Sequence, residues 1–481
     1  MRRTKIVCTI GPACDSEEML RQMMLTGMNV ARVNFSHGRH EEHKIVIDCI
    51  KKLRKELDLP VAILLDTKGP EIRTGLLENG AVELIAGNEI VLTTNEITGT
   101  AAMISVSCIN LPANLNEGDT IMLDDGLIEL KVKYISGTDI TCDIISGETL
   151  KDKKSLNVPG ISIDMPYISE TDRADMLFGI ENNIDFIAMS FVRTAQDVKD
   201  VRELLHTNGS HNIDLIAKIE NAEGINNISD IISVADGVMI ARGDMGVEIP
   251  FEELPHIQKT LIKKCYSAGK LVITATQMLE SMIHHPRPTR AEITDVANAI
   301  YDRTSALMLS GETAVGAYPL KSLETMIKIA LKTESNIDYN SFEKRRTDIE
   351  KADSSITSAI SDATCKAAQI IGASAIIAVT LSGQSAKMIS KFRPHIPIIA
   401  FTPNEKTYYH LALSWGVLPV INEYVKSTHD LFDEVLDKVV KLNLVSYGDI
   451  VVVTGSSRYS LGTTNMLQAH VVGTRREKES S

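Results

Sequence analysis

Short apolar runs rich in β-branched residues recur through the first part of the chain, and each run ends in small or polar residues. Stretches whose apolar residues recur every three or four positions, as in amphipathic helices, lie between most of them. A continuous apolar run is typical of a strand in a parallel sheet that helices cover on both faces. Eight such units predict a closed (β/α)8 barrel, with a doubly wound open sheet as the alternative. The runs are KIVCTIGP, MNVARVNFSHG, PVAILLDTKGP, NIDFIAMSFV, NIDLIAKIEN, ADGVMIARGD, KLVITATQMLE and SALMLSGET.

Two segments interrupt the alternation of strand and helix. Residues 69–164 show short strands with a period of two and frequent turn signals, which predicts a small β domain inserted after the third strand. Residues 336–481 begin with a charged stretch and then resume the alternation, which predicts a separate C-terminal α/β domain. The barrel is therefore expected to be discontinuous in sequence, comprising residues 1–68 and 165–335.

The composition narrows the class of protein. With 44% hydrophobic and 23% charged residues the chain is too apolar to be disordered, and its formal net charge of -13 argues against nucleic acid or a membrane as its partner. The seven cysteines are scattered without a CxxC pair, which indicates reduced thiols rather than disulfides or structural zinc. The sequence shows no signal segment and no run of membrane-spanning length, so we expect a cytoplasmic protein.

Polar residues follow most of the predicted strands at their carboxyl ends, where a barrel gathers its reactive groups. Lys218 and Glu220 are two positions apart, so the period of a strand puts both side chains on one face. One charged residue after a strand is usually part of a solvated turn. When six strands end in such groups, however, the groups can converge only at the solvent-accessible carboxyl end of the barrel. The candidates are Arg32, Asn34 and Ser36; Asp66, Thr67, Lys68 and Arg73; Lys218 and Glu220; Arg242 and Asp244; Thr276; and Ser310 and Glu312.

These residue types indicate a chemistry. Glu220 and Asp244 are oxygen ligands too few to enclose a metal, which suits Mg²⁺ completed by water and substrate oxygens. Arg32, Arg73 and Lys218 predict a substrate that carries phosphate and carboxylate groups. No GxxxxGK[ST] motif is present, which excludes a P-loop nucleotidase.

A second cation site, for a singly charged ion, is expected beside the first. One carboxylate among neutral oxygens is weak for a divalent ion, so the expected ligands are Asn34, Ser36, Asp66 and the carbonyl oxygen of Thr67. His37 adjoins the same strand end and is a further candidate for contact with ligand. His40 and His43 fit the solvated first turn of a helix.

The strand ends, taken in order, resemble those of the pyruvate kinase family, and the similarity extends over essentially the whole chain. The resemblance implies phosphoryl transfer from phosphoenolpyruvate to ADP, giving pyruvate and ATP in the last step of glycolysis. The matching segments are TKIVCTIGPAC, ARVNFSHG, LLDTKGPEIRTG, AKIEN, ARGDMGVEIP, ATQMLESM, PRPTRAEITDVANAI and MLSGETAVGAYP.

The resemblance also implies roles for the catalytic residues. Glu220 and Asp244 would hold Mg²⁺ (or Mn²⁺), and Lys218 would meet the phosphoryl group in transfer. Arg32 and Arg73 would contact phosphate. Thr276 and the Gly243 backbone would orient the substrate carboxylate. The proton route to the enolate carbon would lie near Thr276, Ser310 and Glu312.

For the second cation, the resemblance implies K⁺ bound by Asn34, Ser36, Asp66 and Thr67. Glu71 supports this expectation, because family members that need no K⁺ tend to carry Lys at that position. The nucleotide would contact a set drawn from strand two and the inserted domain, which is expected to close as a lid: Asn34, Ser36, His37, Arg73 and Lys154.

The C-terminal domain resembles the effector-binding domain of the family. Its segment IIAVTLSGQSAKMISKF places Thr380, Ser382 and Ser385 at a strand-to-helix turn, where a phosphate or a plain N-terminal cap are both possible. A second Gly/Ser-rich loop, residues 455–465, is expected to approach the same turn. The expected effector is a sugar phosphate or a nucleotide, and the expected assembly is a homotetramer. The resemblance also leads us to expect neither a long N-terminal extension nor an added phosphohistidine-carrier-like domain.

Two other functions remain open from the residues alone. A metal-dependent lyase or aldolase acting on a pyruvate enolate would also need Mg²⁺ and strand-end carboxylates, but neither a lid nor the K⁺ ligands. A catalytically silent effector-binding protein would use the barrel only as a scaffold, which the intact set of Lys218, Glu220, Asp244 and Thr276 disfavours.

Overall fold

The structure is a computed structural model that describes residues 1–339, 355–423, 428–456 and 463–473. Its strands are β1 Lys5–Ile10, β2 Val30–Asn34, β3 Ala62–Asp66, β4 Ile72–Arg73, β5 Ala81–Glu83, β6 Glu89–Thr93, β7 Met103–Ser105, β8 Thr120–Leu123, β9 Ile128–Ser136, β10 Asp139–Ser146, β11 Thr149–Lys151, β12 Ser155–Asn157, β13 Phe186–Met189, β14 Asp214–Ile219, β15 Gly237–Ala241, β16 Leu271–Ala275, β17 Ala306–Leu309, β18 Ala375–Val379, β19 Ile398–Thr402, β20 Val417–Ile421, β21 Ile450–Gly455 and β22 Met466–Val471.

Helices alternate with these strands. They are α1 Glu17–Thr26, α2 His40–Glu56, α3 Leu111–Asn114, α4 Glu170–Glu181, α5 Ala195–Thr207, α6 Ala222–Asn226, α7 Ile228–Val234, α8 Arg242–Glu248, α9 Leu254–Ala268, α10 Arg290–Tyr301, α11 Gly311–Ala314, α12 Pro319–Glu334, α13 Ile356–Ile370, α14 Gln384–Lys391, α15 Glu405–His410 and α16 Thr428–Lys441. Short 3₁₀ turns occupy Glu78–Gly80, Phe251–Glu253, Glu280–Ile283 and Leu411–Leu413.

Eight parallel strands close into a barrel in the order β1, β2, β3, β13, β14, β15, β16 and β17, with β17 pairing back to β1. Each predicted apolar run supplies one of these strands, which confirms the closed barrel and excludes the open sheet. The strands are buried along nearly their whole length because helices cover the outer face. Helix α1 is typical of that layer: Ser16 caps its first turn, and Leu20 and Met23 are buried.

The segment between β3 and β13 forms a separate sheet. Its seven strands lie in the order β4, β12, β8, β9, β10, β6 and β7, and a hydrophobic core of its own includes Leu92, Ile121 and Leu130. Alternate residues of β9 are buried and exposed, as the period of two predicted. A bridge between Thr74 and Val106 joins its two edges, next to β4 and β7, so the predicted small β-barrel inserted after the third barrel strand is confirmed.

The last part of the chain forms a five-stranded sheet in the order β20, β19, β18, β21 and β22, in which only β22 runs antiparallel. The sequence predicted the three central strands and missed the two at the edges. β20 contains Pro419, which interrupts a β pattern and is tolerated at an edge. β22 has no buried residue, so its hydrophobic pattern is weak.

This sheet is joined to the amino-terminal end of the barrel. Tyr408, Tyr409 and Leu413 belong to the same hydrophobic cluster as the barrel interior. An ion pair between Lys387 and Asp214, 3.0 Å long, joins helix α14 to the start of β14. The opposite, carboxyl end of the barrel carries the inserted sheet.

The sheets show where the three hydrophobic cores lie. They do not define the residues at which one domain ends and the next begins. The boundaries 1–68 with 165–335, 69–164 and 336–481 therefore stay predictions. Within the described part of the chain, no helix has both the length and the apolar character needed to cross a membrane.

Candidate active site

Toward the carboxyl ends of the strands, the side chains inside the barrel change from apolar to polar. In four neighbouring strands, a residue of the interior hydrophobic cluster is followed two positions later by a polar one, which must point to the same side. The four polar groups therefore converge above an apolar layer, as the sequence predicted for three of them. The pairs are Val30 and Arg32, Leu64 and Asp66, Ala188 and Ser190, and Ile216 and Lys218.

Asp66 links the two cations of this cluster. Its Oδ2 accepts a hydrogen bond from Arg32 Nε at 2.6 Å, and its Oδ1 accepts from Lys218 Nζ at 3.0 Å. Ser190 Oγ lies 3.2 Å from the same Oδ1. Arg32 also donates from Nη1 to Thr9 Oγ1 at 2.9 Å. Asp66 is fully buried, so its charge is neutralised by protein groups rather than by solvent.

Lys218 lies between two carboxylates. Its Nζ is 3.1 Å from Glu220 Oε1 and donates to Ser190 Oγ at 2.6 Å. The other oxygen of Glu220 accepts from the backbone N–H of Phe191 at 2.6 Å. Phe191 has a left-handed backbone with φ 55°, a strained conformation for a bulky residue. The sequence prediction that Lys218 and Glu220 share one face agrees with this geometry.

Burial and neighbouring charge set the protonation states of the cluster. Burial lowers the pKa of Lys218, but Asp66 and Glu220 outweigh burial and raise that pKa above its usual value. Burial raises the pKa of Glu220 to about 7, Lys218 opposes this rise, and Asp244 adds to it. Burial also acts to raise the pKa of Asp66, but Arg32 and Lys218 hold it below its usual value. Lys218 is therefore a permanent cation at neutral pH.

Glu220 and Asp244 are the pair predicted to hold a divalent cation. Asp244 lies in the first turn of α8 and lines a cavity of about 390 Å³ between the barrel mouth and the inserted sheet. No group of three or more acidic, His or Cys side chains suited to a metal occurs among the described residues. Two carboxylates fit a cation that keeps water or substrate oxygens as its other ligands, as Mg²⁺ does. The rise that Asp244 causes in the pKa of Glu220 indicates negative charge that such a cation would neutralise.

Thr276 follows strand β16 in a left-handed conformation with φ 67°. Its hydroxyl accepts from the Gly243 N–H at 2.8 Å and donates to the Ala275 carbonyl at 2.6 Å. Arg242 holds this turn from below: its Nη2 donates to the Thr276 carbonyl at 2.5 Å and its Nη1 to Asp295 at 2.6 Å. Thr276 and Gly243 are thus in contact, as their predicted joint role requires.

Ser310 and Glu312 lie where β17 meets α11. Glu312 is fully buried, and its two oxygens accept from the Ser310 and Leu279 backbone N–H groups at 2.7 and 2.9 Å. Its contacts shape the turn and do not reach the Lys218 cluster. The Ser310 hydroxyl is buried without a hydrogen-bond partner among the described residues.

Several predicted residues make contacts other than those expected for them. Arg73 donates to Glu71 at 2.8 Å and to the Lys153 carbonyl at 2.8 Å, and Lys154 pairs with Asp124 at 2.7 Å. Arg73 ends β4 and Lys154 directly precedes β12. Their nucleotide and phosphate roles stay predictions.

The residues predicted to hold K⁺ are already engaged. The Thr67 carbonyl accepts from Ser190 Oγ at 2.6 Å, and the Asn34 side-chain oxygen accepts from the Ser36 N–H at 3.3 Å. Each oxygen of Asp66 accepts a hydrogen bond, Oδ2 from Arg32 and Oδ1 from Lys218. The four predicted ligands lie at adjacent strand ends, because Asn34 pairs with Asp66 in the register of β2 and β3.

The histidines after β2 make contacts that the sequence did not predict. His37 is exposed, and its carbonyl accepts from His43 Nε2 at 2.9 Å. His40 and His43 lie in the first turn of α2, as predicted, and both are partly exposed. His43 stacks on Phe35 with ring centroids 4.2 Å apart, and His40 stacks on Phe178 and bonds to Asp175 at 2.5 Å.

The candidate effector turn in the C-terminal sheet is internally bonded. Thr380 Oγ1 accepts from the Gly383 N–H at 3.0 Å, and Ser385 Oγ lies 2.5 Å from Thr464 Oγ1. Ser382 is exposed. The contact with Thr464 agrees with the expected approach of the second loop, although residues 457–462 of that loop lie outside the described residues.

Two members of the cluster were missed from the sequence: Thr9 on β1 and Ser190 after β13. They come from the two strand ends for which no candidate was predicted. The signal was present, because in each case a hydroxyl residue replaces an apolar one in the period-two position facing the interior. Small neutral residues carry too little chemical information to be singled out without the fold.

The fold and the cluster define a class of barrel protein whose site combines a buried lysine, an arginine and two buried carboxylates. The family description "Pyruvate kinase, barrel domain" matches residues 1–323, and "Pyruvate kinase, alpha/beta domain" matches residues 358–470. The chain therefore belongs to the pyruvate kinase family. This confirms the predicted family, fold class and enzyme function.

Individual relatives agree with the family assignment. The chain is 50% identical over 476 residues to the pyruvate kinase of Staphylococcus aureus strain USA300, covering 98% of this chain and 81% of that protein. The figures are the same for the pyruvate kinase of the bovine strain RF122. The crystal structure of a pyruvate kinase from Cryptosporidium parvum superimposes with a TM-score of 0.92 at 38% identity, covering 98% of this chain and 96% of that one.

Proposed function

We propose that this enzyme transfers the phosphoryl group of phosphoenolpyruvate to ADP, giving pyruvate and ATP, with Mg²⁺ (or Mn²⁺) and K⁺ as its metal ions. The observation that carries this proposal is the position of Lys218, 3.0 Å from Asp66 and 3.1 Å from Glu220 at the mouth of the barrel. The set of groups suits a reaction in which positioning and charge neutralisation dominate.

Lys218 acts as a fixed cation rather than as a base. Because Asp66 and Glu220 raise its pKa, it stays an ammonium group while the phosphoryl group moves. Such a donor stabilises negative charge on the transferring oxygens and on the departing enolate. Arg32, held by Asp66 and Thr9, supplies a second cation to the substrate phosphate.

Glu220 and Asp244 would hold the divalent ion. When bound, such an ion neutralises charge on substrate oxygens and orients them. The backbone N–H of Phe191 keeps Glu220 aimed at the site through its 2.6 Å hydrogen bond. Asn34, Ser36, Asp66 and Thr67 would hold K⁺, and Glu71 lines the cavity at the same end of the barrel.

Thr276 and the Gly243 backbone would orient the substrate carboxylate. They already share a hydrogen bond of 2.8 Å, which a substrate oxygen would replace at the Gly243 N–H. The Ser310 hydroxyl has no partner among the described residues and is a candidate for the proton route to the enolate carbon, together with Thr276. Glu312 positions Ser310 through its bond to the backbone N–H.

The inserted sheet is proposed to act as the lid over the nucleotide. Closing would exclude water from the transfer step. The nucleotide would then contact residues of the barrel mouth and of the sheet itself. The proposed contacts are Asn34, Ser36, His37, Arg73 and Lys154, of which Arg73 and Lys154 must first exchange their partners Glu71 and Asp124.

A coupled assay tests the proposal: pyruvate and ATP are measured after adding phosphoenolpyruvate and ADP with Mg²⁺, with and without K⁺. Stoichiometric formation of both products that stops without Mg²⁺ is the expected result. Cleavage or condensation of an oxo-acid without ATP would instead indicate the lyase or aldolase. Binding of phosphorylated ligands without any turnover would indicate the silent effector-binding protein.

A regulatory ligand and an assembly state complete the proposal. Thr380, Ser382 and Ser385 are proposed to bind a phosphate of a sugar phosphate or nucleotide, which would have to displace the Gly383 N–H from Thr380 and Thr464 from Ser385. Loss of effector-induced activation in Ser382→Asp would support this site, whereas unchanged activation would refute it. Size-exclusion chromatography with light scattering tests the proposed homotetramer, and a monomer at working concentration would remove it.

A further inference from the structure

A second cavity lies far from the barrel mouth, between helix α2 and helix α15. Its volume is about 460 Å³, within the usual range of small-molecule sites. The barrel contributes the carboxyl-terminal half of α2 and Asn183, and the C-terminal sheet contributes α15. The cavity, called here the α2/α15 cleft, is lined by Lys51, Lys52, Arg54, Lys55, Asn183, Glu405, Lys406 and Tyr409.

The lining is strongly cationic although the whole chain carries a formal charge of -13. Five basic side chains face three neighbouring carboxylates. Lys52 pairs with Glu17 at 2.7 Å, Arg54 with Asp185 at 2.8 Å, and Lys55 lies 4.0 Å from Glu405. Among the described residues, these three carboxylates leave two of the five basic side chains without a carboxylate of their own.

Lys51 and Lys406 carry that surplus. Lys51 Nζ donates to the Asn182 carbonyl, and Lys406 Nζ donates to the Asn183 and Ile184 carbonyls at 3.1 and 2.7 Å. These carbonyls follow the end of α4, so both lysines also cap that helix. Neutral carbonyls do not compensate a full charge, and the Asp185 carboxylate, 3.6 Å from Lys406, already pairs with Arg54.

Arg54 provides a second, independent observation. It is only 6% exposed, and its Nε is buried without a hydrogen-bond partner among the described residues. Its guanidinium carbon lies 3.5 Å from the centroid of the Tyr409 ring, which fixes the plane of the group. A buried charged donor without an acceptor is costly and indicates a missing partner.

The electrostatics agree with a missing anion. Burial and then the charge of Arg54 lower the pKa of Lys51. Burial lowers the pKa of Lys406, Asp185 opposes the change, and Arg54 adds to it. Burial and the charge of Arg54 destabilise both cations, so an anion placed among them would be bound favourably.

We propose that the α2/α15 cleft is a binding site for a small phosphorylated metabolite whose phosphate is held by Lys51, Arg54 and Lys406. Guanidinium and ammonium groups in one concave site are typical of phosphate recognition. The cavity has more room than one phosphate needs, so the ligand carries a second phosphate or a sugar. Because the lining comes from both the barrel and the C-terminal sheet, the ligand holds these two units together.

Isothermal titration calorimetry of the full chain with pyrophosphate, at constant ionic strength, tests the proposal. The double variant Lys51→Gln with Lys406→Gln is compared with a charge-matched control, Lys131→Gln with Lys151→Gln, on the exposed face of the inserted sheet. We expect one class of sites to weaken at least tenfold in the double variant and to stay unchanged in the control. Sites at the barrel mouth, which retain Arg32 and Lys218, remain as a separate class.

A surface variant keeps the test informative if the double variant does not fold. The Lys55 side chain is 69% exposed, so Lys55→Glu is compatible with folding and reverses one charge at the rim. We expect Lys55→Glu to weaken the same class of sites. Isotherms identical to those of the unaltered protein, in either folded variant, would overturn the proposal.

Two further titrations identify the source of the phosphate. A nucleoside monophosphate and a hexose bisphosphate are each tested against the double variant and the control. A ligand whose binding depends on Lys51 and Lys406 belongs to the cleft, and its class is thereby established. Binding of both ligands that is indifferent to these lysines would count against the site.

Discussion

The ammonium nitrogen of Lys218 lies 3.1 Å from a carboxylate oxygen of Glu220, and the two residues are two positions apart at the end of β14. A buried strand ends in opposite charges because its last side chains face the polar mouth of the barrel. The proximity has a chemical consequence as well. Glu220 keeps Lys218 protonated, and Lys218 limits the rise that burial causes in the pKa of Glu220.

Replacing Lys218 by Ala is expected to lower kcat by about a hundred- to thousandfold, as for the loss of one preorganised donor. Folding should persist, because Asp66 keeps Arg32 as its partner and Glu220 can take up a proton. Steady-state kinetics and circular dichroism measure the two effects. The exposed Lys199→Ala on α5 is the matched control, and near-normal turnover of Lys218→Ala would contradict the assigned role.

Replacing Glu71 by Lys is expected to weaken the dependence of activity on K⁺, because the new ammonium group supplies a positive charge at the same end of the barrel. Initial rates are measured as K⁺ is titrated against a background of a large organic cation. Glu71→Gln removes the carboxylate bonded to Arg73 without adding a cation, so this variant should still need K⁺. An unchanged K⁺ activation curve in Glu71→Lys would refute the expectation.

Arg242 is expected to act as a positioning residue for Thr276. Arg242→Met removes the donors to the Thr276 carbonyl, and a small displacement of the turn should lower kcat by roughly ten- to a hundredfold with less effect on KM. Asp295→Asn weakens the ion pair of Arg242 but leaves its bonds to the turn. If both variants lose the same stability and the same kcat, Arg242 is only structural.

Lys5 gives a pH dependence of stability whose sign follows from its burial. Burial lowers the pKa of Lys5 from 10.5 to about 7 in the folded protein. Between these values the unfolded chain holds a proton that the folded chain has lost, so stability rises with pH there, by up to about 1.4 kcal/mol per unit. Below pH 7 the folded and unfolded states both hold the proton, so the full free-energy cost of burying the charged Lys5 lowers stability.

The variant Lys5→Met isolates this effect. It removes the buried charge and the hydrogen bond to the Val417 carbonyl, 2.6 Å long. Its stability relative to the unaltered protein should be highest near pH 7 and should fall steadily toward pH 10. Denaturant unfolding at several pH values measures this difference, and a difference that does not change with pH would refute the assignment.

The sequence predicts the barrel strands of this protein better than its edge strands and its side-chain contacts. All eight barrel strands were predicted, because a strand buried on both faces must be continuously apolar. The edge strands β20 and β22 were missed, since edge positions tolerate proline and exposed residues. The packing of His40 and His43 was also missed, because their aromatic partners depend on how α2 and α4 approach each other.

The order of apolar and polar residues by itself determined the barrel, the inserted sheet, and the face on which Arg32, Asp66 and Lys218 lie. This is possible because the period of a strand is a local property of the chain. Tertiary structure decided which of these groups meet. Asp66 joins Arg32, 34 positions away, to Lys218, 152 positions away, and Ser190 enters between them. Such contacts depend on the closure of the barrel, and the cationic cleft between α2 and α15 depends on the docking of the C-terminal sheet.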